Sequence, residues 1–159
     1  MSFADDTGFP SSSVAAQAAG FGDLDGDGDV DLVVASNGAN TILLNDGLGN
    51  FRSSPTFPGG SVLTKALALG DVNGDGTLDL ILGNKGANEL LINNGSGSFL
   101  SSPTFPGSSV LTNALALGDV NGDGALDLVL GNSGVDELLI NDGSGTFSRS
   151  PTFVSDSTS

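Results

Sequence analysis

Residues 71–80 read DVNGDGTLDL, in which Asp or Asn stands at positions 71, 73, 75 and 79 and Gly at positions 74 and 76, before an apolar run begins. The same pattern stands earlier, as DLDGDGDVDL at residues 23–32, and later, as DVNGDGALDL at residues 119–128, so that it recurs at every 48th position. A fixed period of this length indicates a repeat architecture, in which each unit is one supersecondary element that cannot bury its own faces. We therefore expect three similar units in this chain of 159 residues.

The period extends beyond the acidic stretches. The units at residues 51–98 and 99–146 are identical at 38 of 48 positions, and the units at residues 3–50 and 51–98 are identical at 20. A Phe opens each unit and also the residues that follow the third: Phe3, Phe51, Phe99 and Phe147. The repeat therefore accounts for nearly the whole chain.

Four short strands are predicted in each unit. In the second unit they lie at residues 65–69, 80–82, 89–92 and 99–105, with turns rich in Asp, Asn and Gly between the first three and before the last. Strands that are apolar on both faces need cover on both sides, which sheets stacked around an axis provide. The predicted fold class is all-β, a β-propeller-type repeat of four-stranded antiparallel blades, with three blades per chain that each span the 48 positions of one repeat. The alternative is a two-sheet sandwich.

The strand pattern also predicts the blade boundaries. Blade 1 spans residues 10–57, blade 2 spans residues 58–105 and blade 3 spans residues 106–153. Residues 3–9 resemble a last strand without its own blade, so we predict a spare N-terminal strand that is available to pair with a neighbouring chain. Residues 154–159 form a polar tail.

Charge and composition exclude several classes of function. The chain carries 4 Lys and Arg against 19 Asp and Glu, for a net charge of −15. Nucleic acids and anionic membrane surfaces bind clustered positive charge, so we expect cations as partners and no nucleic acid. The chain has no His and no Cys, which excludes the usual catalytic triads, thiolate nucleophiles and zinc sites, and we expect no enzyme activity. No apolar run approaches the roughly 20 residues of a membrane span.

The acidic loops are candidate cation sites. Counted from the first Asp of each loop, oxygen-bearing side chains fall at positions 1, 3, 5 and 9, and Gly stands at position 6. Alternate residues of a tight loop point inward and surround a hard cation, and a varying residue at position 7 fits a backbone carbonyl ligand. We predict about three calcium ions per chain, one per loop, because a cage rich in carboxylates suits calcium better than magnesium. The predicted ligands are Asp23, Asp25, Asp27, Asp29 and Asp31; Asp71, Asn73, Asp75, Thr77 and Asp79; and Asp119, Asn121, Asp123, Ala125 and Asp127.

Position 12 separates these loops from helix–loop–helix calcium sites. An EF-hand has a bidentate Glu there, whereas Val34, Leu82 and Leu130 stand at position 12 in this chain. The loops are therefore predicted to lie in β-hairpins. The alternative is a set of plain Asp/Gly turns without an ion, which the mutual repulsion of three or four clustered carboxylates disfavours.

The chain resembles the FG-GAP/VCBS repeat family, the calcium-bearing blades of integrin α-subunit propellers. The resemblance lies in Phe-Gly-Asp at residues 21–23, in the three acidic loops, and in Gly-Ala-Asn at residues 38–40 and 86–88, while Gly-Val-Asp at residues 134–136 departs from it. It implies a protein outside the cell or at the cell surface, with calcium as a structural ion. Family members range from adhesion receptors to enzyme-associated modules, so the resemblance does not fix the function.

The number of blades raises the question of assembly. Family propellers usually have about seven blades, so three leave the outer faces of blades 1 and 3 open, with Leu, Ile and Phe exposed. We therefore expect a structural, self-assembling protein that forms a homo-oligomeric ring or a filament through these faces and the spare strand. The alternative is a fragment of an integrin-like adhesion or ligand-binding propeller, with a protein or glycan ligand. The lack of Trp and Tyr argues against a lectin.

Overall fold

The computed structural model of the protein describes residues 15–54, 63–103, 105–106 and 110–151. These residues form twelve strands in three four-stranded sheets, and each sheet is an antiparallel meander. The predicted all-β fold of three blades is thus confirmed. None of the described segments forms a helix long and apolar enough to cross a bilayer.

Each blade consists of four consecutive strands. Blade 1 contains β1 Ala16–Gly22, β2 Asp31–Ser36, β3 Thr41–Asn45 and β4 Phe51–Ser53. Blade 2 contains β5 Thr64–Gly70, β6 Asp79–Asn84, β7 Glu89–Asn93 and β8 Phe99–Ser101. Blade 3 contains β9 Thr112–Gly118, β10 Asp127–Asn132, β11 Glu137–Asn141 and β12 Phe147–Arg149.

The blades stack in chain order through two apolar clusters. The cluster between blades 1 and 2 includes Leu24 and Val33 from blade 1, and Leu80 and Leu91 from blade 2. The cluster between blades 2 and 3 is built from the equivalent positions, with the T-shaped contact of Phe105 and Phe147 beside it. Both faces of the middle sheet are therefore buried, which is why its strands are apolar on both sides.

A buried polar contact accompanies each apolar cluster. Thr64 Oγ1 accepts a hydrogen bond from Asn40 Nδ2 at 3.0 Å and donates one to Asn84 Oδ1 at 2.7 Å. The equivalent set between blades 2 and 3 is Asn88, Thr112 and Asn132. Because these groups are buried and paired, they fix how far one blade is shifted along the next.

The last strand of each blade is shorter than predicted. Residues 99–105 were expected to be one strand, but β8 ends at Ser101. Pro103 follows, which has no N–H to continue the ladder, so pairing stops before it. The predicted spare strand at residues 3–9 and the predicted tail at residues 154–159 lie outside the described residues.

The outer faces of blades 1 and 3 were expected to expose apolar side chains, and this holds near the acidic loops. On blade 3, Val120 is 56% exposed, whereas the equivalent Val72 is 2% exposed. On blade 1, Phe21 and Val30 are exposed near the acidic loop. The expectation is wrong for Leu32 and Leu43, which do not belong to the cluster between blades 1 and 2 and are nevertheless buried.

Candidate metal-binding loops

The three acidic loops lie at the same end of their blades, each in the hairpin between the first and second strand. Blade 2 shows the geometry, where the loop joins β5 to β6 and these strands pair from Gly70 with Asp79 onward. Gly74 and Gly76 have φ of 76° and 88°, a backbone conformation that favours glycine. The two glycines wind residues 71–79 into a compact turn.

The position 1 carboxylate organises the loop from inside. Asp71 Oδ1 accepts the N–H of Gly74 at 2.7 Å, and Asp71 Oδ2 accepts the N–H of Gly76 at 2.8 Å. Asp23 and Asp119 accept the equivalent N–H groups in their own loops. In blade 3, these backbone donors, led by Gly124, hold the pKa of Asp119 below its usual range.

The position 9 carboxylate ties the loop to the third strand. Asp79 is fully buried; its Oδ2 accepts the N–H of Val72 at 3.0 Å and its Oδ1 accepts the N–H of Asn93 at 2.9 Å. Burial raises the pKa of Asp79, although these two donors oppose the shift. Asp31 and Asp127 make the same pair of bonds. Each carboxylate oxygen can accept more than one contact, so this role leaves room for a cation.

Positions 3, 5 and 7 are linked to one another in blades 2 and 3. Asn73 Nδ2 donates to Asp75 Oδ2 at 2.9 Å, and the Thr77 hydroxyl donates to Asp75 Oδ1 at 2.6 Å. The donors from Thr77 and Asn73 hold the pKa of Asp75 below its usual range. In blade 3, Asn121 donates to Asp123 at 2.8 Å, while Ala125 has only its backbone groups to offer.

The loop of blade 1 differs because position 3 is an acid. One carboxylate oxygen from each of Asp23, Asp25 and Asp27 lies within 4.8 Å of the others. Burial, together with the charges of Asp31 and Asp27, raises the pKa of Asp25. Arg52 Nη2 lies 3.6 Å from Asp25 Oδ2, while Asp25 Oδ1 is buried and has no hydrogen-bond partner among the described residues. Position 7 is Asp29, whose N–H donates to Asp27 Oδ1 at 2.9 Å.

The donor set of each loop fits a hard cation. The side chains at positions 1, 3, 5 and 9 offer oxygen from carboxylates and amides, which is the ligand chemistry of calcium, and the predicted role of position 7 needs only a backbone carbonyl. In each blade the predicted residues lie in one hairpin, from the end of the first strand to the first residue of the second. Their coordination of an ion stays a prediction.

One contributor to these loops was missed from the sequence. Asn93, at the end of β7, donates from its backbone N–H to Asp79, and its Nδ2 donates to the Leu24 carbonyl of the preceding blade at 2.9 Å. Asn141 repeats this contact to Val72 at 2.7 Å. The available signal was an Asn at the same place in every repeat, which turn chemistry alone also explains.

The chain is similar to a known repeat family in sequence and to a solved lectin structure in fold. A family model described as an FG-GAP-like repeat matches residues 23–82, 71–130 and 119–159. A solved structure of a lectin from Agrocybe aegerita, which specifically recognises non-reducing terminal N-acetylglucosamine, aligns with a TM-score of 0.61 at 21% identity. The alignment covers 82% of this chain and 36% of the lectin chain, so this chain spans about a third of that protein and shares its fold. Among curated proteins no match was found.

Proposed function

Because the chain belongs to the FG-GAP-like repeat family, we propose that it is a calcium-binding structural repeat protein that acts outside the cell or at the cell surface. Each blade holds one calcium ion, and copies of the chain associate into a ring or a filament. The role is not enzymatic. The observation that carries the proposal is the loop geometry, in which carboxylates of Asp23, Asp25 and Asp27 converge within 4.8 Å.

The ion has a structural task in this proposal. The loop backbone is wound around carboxylates, and few positive charges lie near them; within the described residues, Arg52 at 3.6 Å from Asp25 makes the one ion pair of the loops. A divalent ion relieves the repulsion and holds the loop between the first two strands of its blade. Folding and calcium binding are therefore coupled.

Calorimetric titration tests this proposal. Chelator-treated protein titrated with calcium chloride is expected to bind about three ions per chain, and saturation is expected to raise Tm by about 5 °C or more. Asp75→Ala removes a position 5 carboxylate and is expected to bind about two ions and to lose part of the calcium-dependent rise in Tm.

Asp46→Ala is the matched control. Asp46 is an exposed carboxylate in the turn between β3 and β4, outside the acidic loops, so its loss is expected to change Tm equally with and without calcium. The absence of binding heat in the wild-type protein contradicts the proposal. So does an Asp75→Ala variant that keeps the full calcium-dependent rise.

An adhesive or ligand-binding role is the second candidate. An open cleft of about 420 Å³ lies between the loop ends of blades 2 and 3, and Asp71, Asp123 and Asp142 line it. Calcium with an open coordination position at such a cleft can bridge to an acidic or hydroxyl-bearing group of a protein or glycan. A glycan array screened with and without calcium tests this candidate, and binding only in calcium supports it.

A further inference from the structure

We propose that the third blade of one copy docks on the first blade of a second copy, head to tail, through the loop ends of the two blades. This proposal rests on the calcium loops of the proposed function, because the third loop carries part of the docking surface. The association of copies is already part of the proposed function, and the new elements are the polarity of the contact and the residues that form it.

The contact between consecutive blades uses a glycine notch. An added Cβ at Gly22 would lie 2.4 Å from Leu78 Cδ1 of the next blade, and one at Gly70 would lie 2.9 Å from Leu126 Cδ1. The Leu side chains therefore occupy the space that the missing Cβ leaves. At the equivalent Gly118 of blade 3, no atom of the described residues lies within 4 Å of that position. Within residues 110–151 and the other described ranges, the notch of the last blade is therefore unfilled.

The residues that would fill this notch stand on the first blade. Val30 is equivalent to Leu78, and it is 53% exposed. Phe21 is equivalent to Leu69, which lies 3.7 Å from the Cβ position of Gly22, and Phe21 is 67% exposed. Exposed apolar side chains of this size, next to each other on one sheet face, are typical of an interface.

The second residue of each loop gives an independent match. Leu24 and Val72 are buried against the next blade at 0% and 2% exposure, and their carbonyls accept hydrogen bonds from Asn93 and Asn141. Val120 occupies the same place in blade 3 and is 56% exposed. Within the described residues, no further blade brings an Asn to its carbonyl.

Blade 1 carries the complementary group for Val120. Asn45 is the equivalent of Asn93; its Nδ2 donates to Val30 within its own blade at 3.1 Å, as Asn93 does to Leu78. Asn93 also donates to a carbonyl of the preceding blade, and Asn45 makes no such bond among the described residues. Beside it, an added Cβ at Gly49 would meet no described residue within 4 Å, whereas one at the equivalent Gly97 would lie 3.4 Å from Asp25 Cβ and 3.5 Å from Leu44 Cδ1 of the preceding blade.

These observations therefore indicate that a second copy of the chain binds at the loop ends of blades 1 and 3. The two ends of the stack are the two halves of a contact that the chain forms twice internally, between blades 1 and 2 and between blades 2 and 3. One half presents the notch and Val120, and the other presents Phe21, Val30 and the Asn45 amide. The docking surface is confined to the loop ends, because Leu32 and Leu43 further along blade 1 are already buried.

This copy-to-copy contact is weaker than the internal ones. Internally, Asn40 and Asn88 each donate to a Thr of the next blade. The equivalent of these Asn residues in blade 3 is Asp136, and the equivalent of the Thr residues in blade 1 is Ala16, so this buried hydrogen bond is not formed between copies. Association is accordingly reversible and depends on concentration.

Sedimentation velocity on the full chain in millimolar calcium tests the proposal. The wild-type mass is expected to rise with protein concentration. Gly118→Leu fills the notch and Phe21→Asp places a charge on the opposite half, so each variant alone is expected to weaken association about tenfold or more. Leu100→Asp is the control, because Leu100 is 75% exposed on β8, away from both halves, and is expected to associate as the wild type does.

Mixing the two variants tests the polarity. Gly118→Leu keeps an intact blade 1 surface and Phe21→Asp keeps an intact blade 3 surface, so the mixture is expected to form pairs of twice the chain mass. Circular dichroism and Tm establish that both variants fold. A wild-type mass that stays at one chain at every concentration overturns the proposal, as do variants that still associate alone or a mixture of folded variants that forms no pairs.

Calcium titration of the same samples separates the two proposals. If the variants bind calcium as the wild type does and the predicted pattern of association fails, the docking proposal fails and the calcium proposal stands. If the wild type binds no calcium, the calcium proposal fails whatever its mass.

Discussion

Single carboxylates in the acidic loops accept hydrogen bonds from the backbone, in addition to their proposed role as calcium ligands. Asp79 accepts N–H groups from both Val72 and Asn93, so it joins the start of the loop to the end of β7. Replacing it by Ala would leave two buried N–H groups without an acceptor, at a cost of about 1–3 kcal/mol each. A variant at position 9 therefore mixes loss of the fold with loss of the ion, and position 5 is the cleaner test of calcium binding.

A pair of equivalent Ser residues isolates the effect of one carboxylate charge. Ser144 donates its hydroxyl to Asp142 Oδ1 at 2.6 Å, and Ser96 donates to Asn94 Oδ1 at 2.7 Å. The Ser144 hydroxyl holds the pKa of Asp142 below its usual range, so this bond stabilises the fold above the ordinary carboxyl pKa of about 3.9 and is lost as pH falls through the lowered value.

Urea unfolding in chelator at neutral pH and near pH 3 measures this difference. Ser144→Ala is expected to lower the free energy of unfolding at neutral pH and to lose that effect as the solution becomes acidic. Ser96→Ala is expected to cost the same at both pH values, because Asn94 does not titrate. Equal pH dependence of the two variants would contradict the assignment of the shift to the Ser144 hydroxyl.

At the scale of strands, the first strand of one blade provides the surface on which the next blade packs. Small residues line the face of β5 that meets blade 3, and Gly70 receives two Leu side chains there. The tight fit explains why Gly occurs at the end of β1 and β5, where extended strands ordinarily favour larger residues.

Gly70→Ala and Gly118→Ala form a matched pair. A Cβ at Gly70 would lie 2.8 Å from Leu117 Cδ1 and 2.9 Å from Leu126 Cδ1, so both Leu side chains must move, and we expect a loss of about 1–3 kcal/mol. A Cβ at Gly118 meets no atom within 4 Å in the part of the chain that the structure describes, so this variant is expected to be neutral or slightly stabilising. Urea unfolding of dilute protein measures both, and equal effects would show that the notch is not tightly packed.

The strands and loops were predictable because their signals are local. Apolar runs of three to five residues between Asp, Asn and Gly turns predicted the first three strands of each blade to within two residues. The end of β8 was not predicted, because residues 99–105 favour a strand by composition and only Pro103 interrupts it. The calcium ligand pattern was visible for the same local reason.

The contacts between blades could not be predicted, because they join residues far apart in the chain. Asn93 and Leu24 are 69 residues apart, and the notch of Gly22 is filled by Leu78. The period predicts that blades are equivalent but does not say which residue of one blade meets which residue of the next. The burial of Leu32 and Leu43 was not predicted, because the repeat places no neighbouring blade on that face of blade 1.

At the scale of the whole molecule, charge opposes folding. The net charge is −15, and the acidic loops gather much of it at one end of the stack. Three divalent ions would cancel six of these charges, at the same points where the carboxylates crowd together. Without calcium, the remaining repulsion acts over the whole loop end, so its strength depends on the ionic strength.

Salt is therefore expected to stabilise the calcium-free protein. Raising sodium chloride from about 0.01 M to about 0.5 M shortens the screening length from about 30 Å to about 4 Å and is expected to raise Tm in chelator. In saturating calcium the rise is expected to be smaller. Choline chloride is the control for specific binding of sodium, and a Tm in chelator that does not change with salt contradicts this account.

The two internal blade contacts use equivalent residues, and this affects how such a chain can gain or lose blades in evolution. Each contact is made by the same notch, Leu and Asn amide, so a duplication that inserts one complete repeat adds one blade and one contact and leaves the others intact. An insertion of one residue within a first strand, by contrast, would turn the side chains beyond it to the other face and move Gly22 or Gly70 away from its Leu partner. Whole repeats can therefore be gained or lost at little cost to the remaining contacts, while the strands that form the notch cannot change in length.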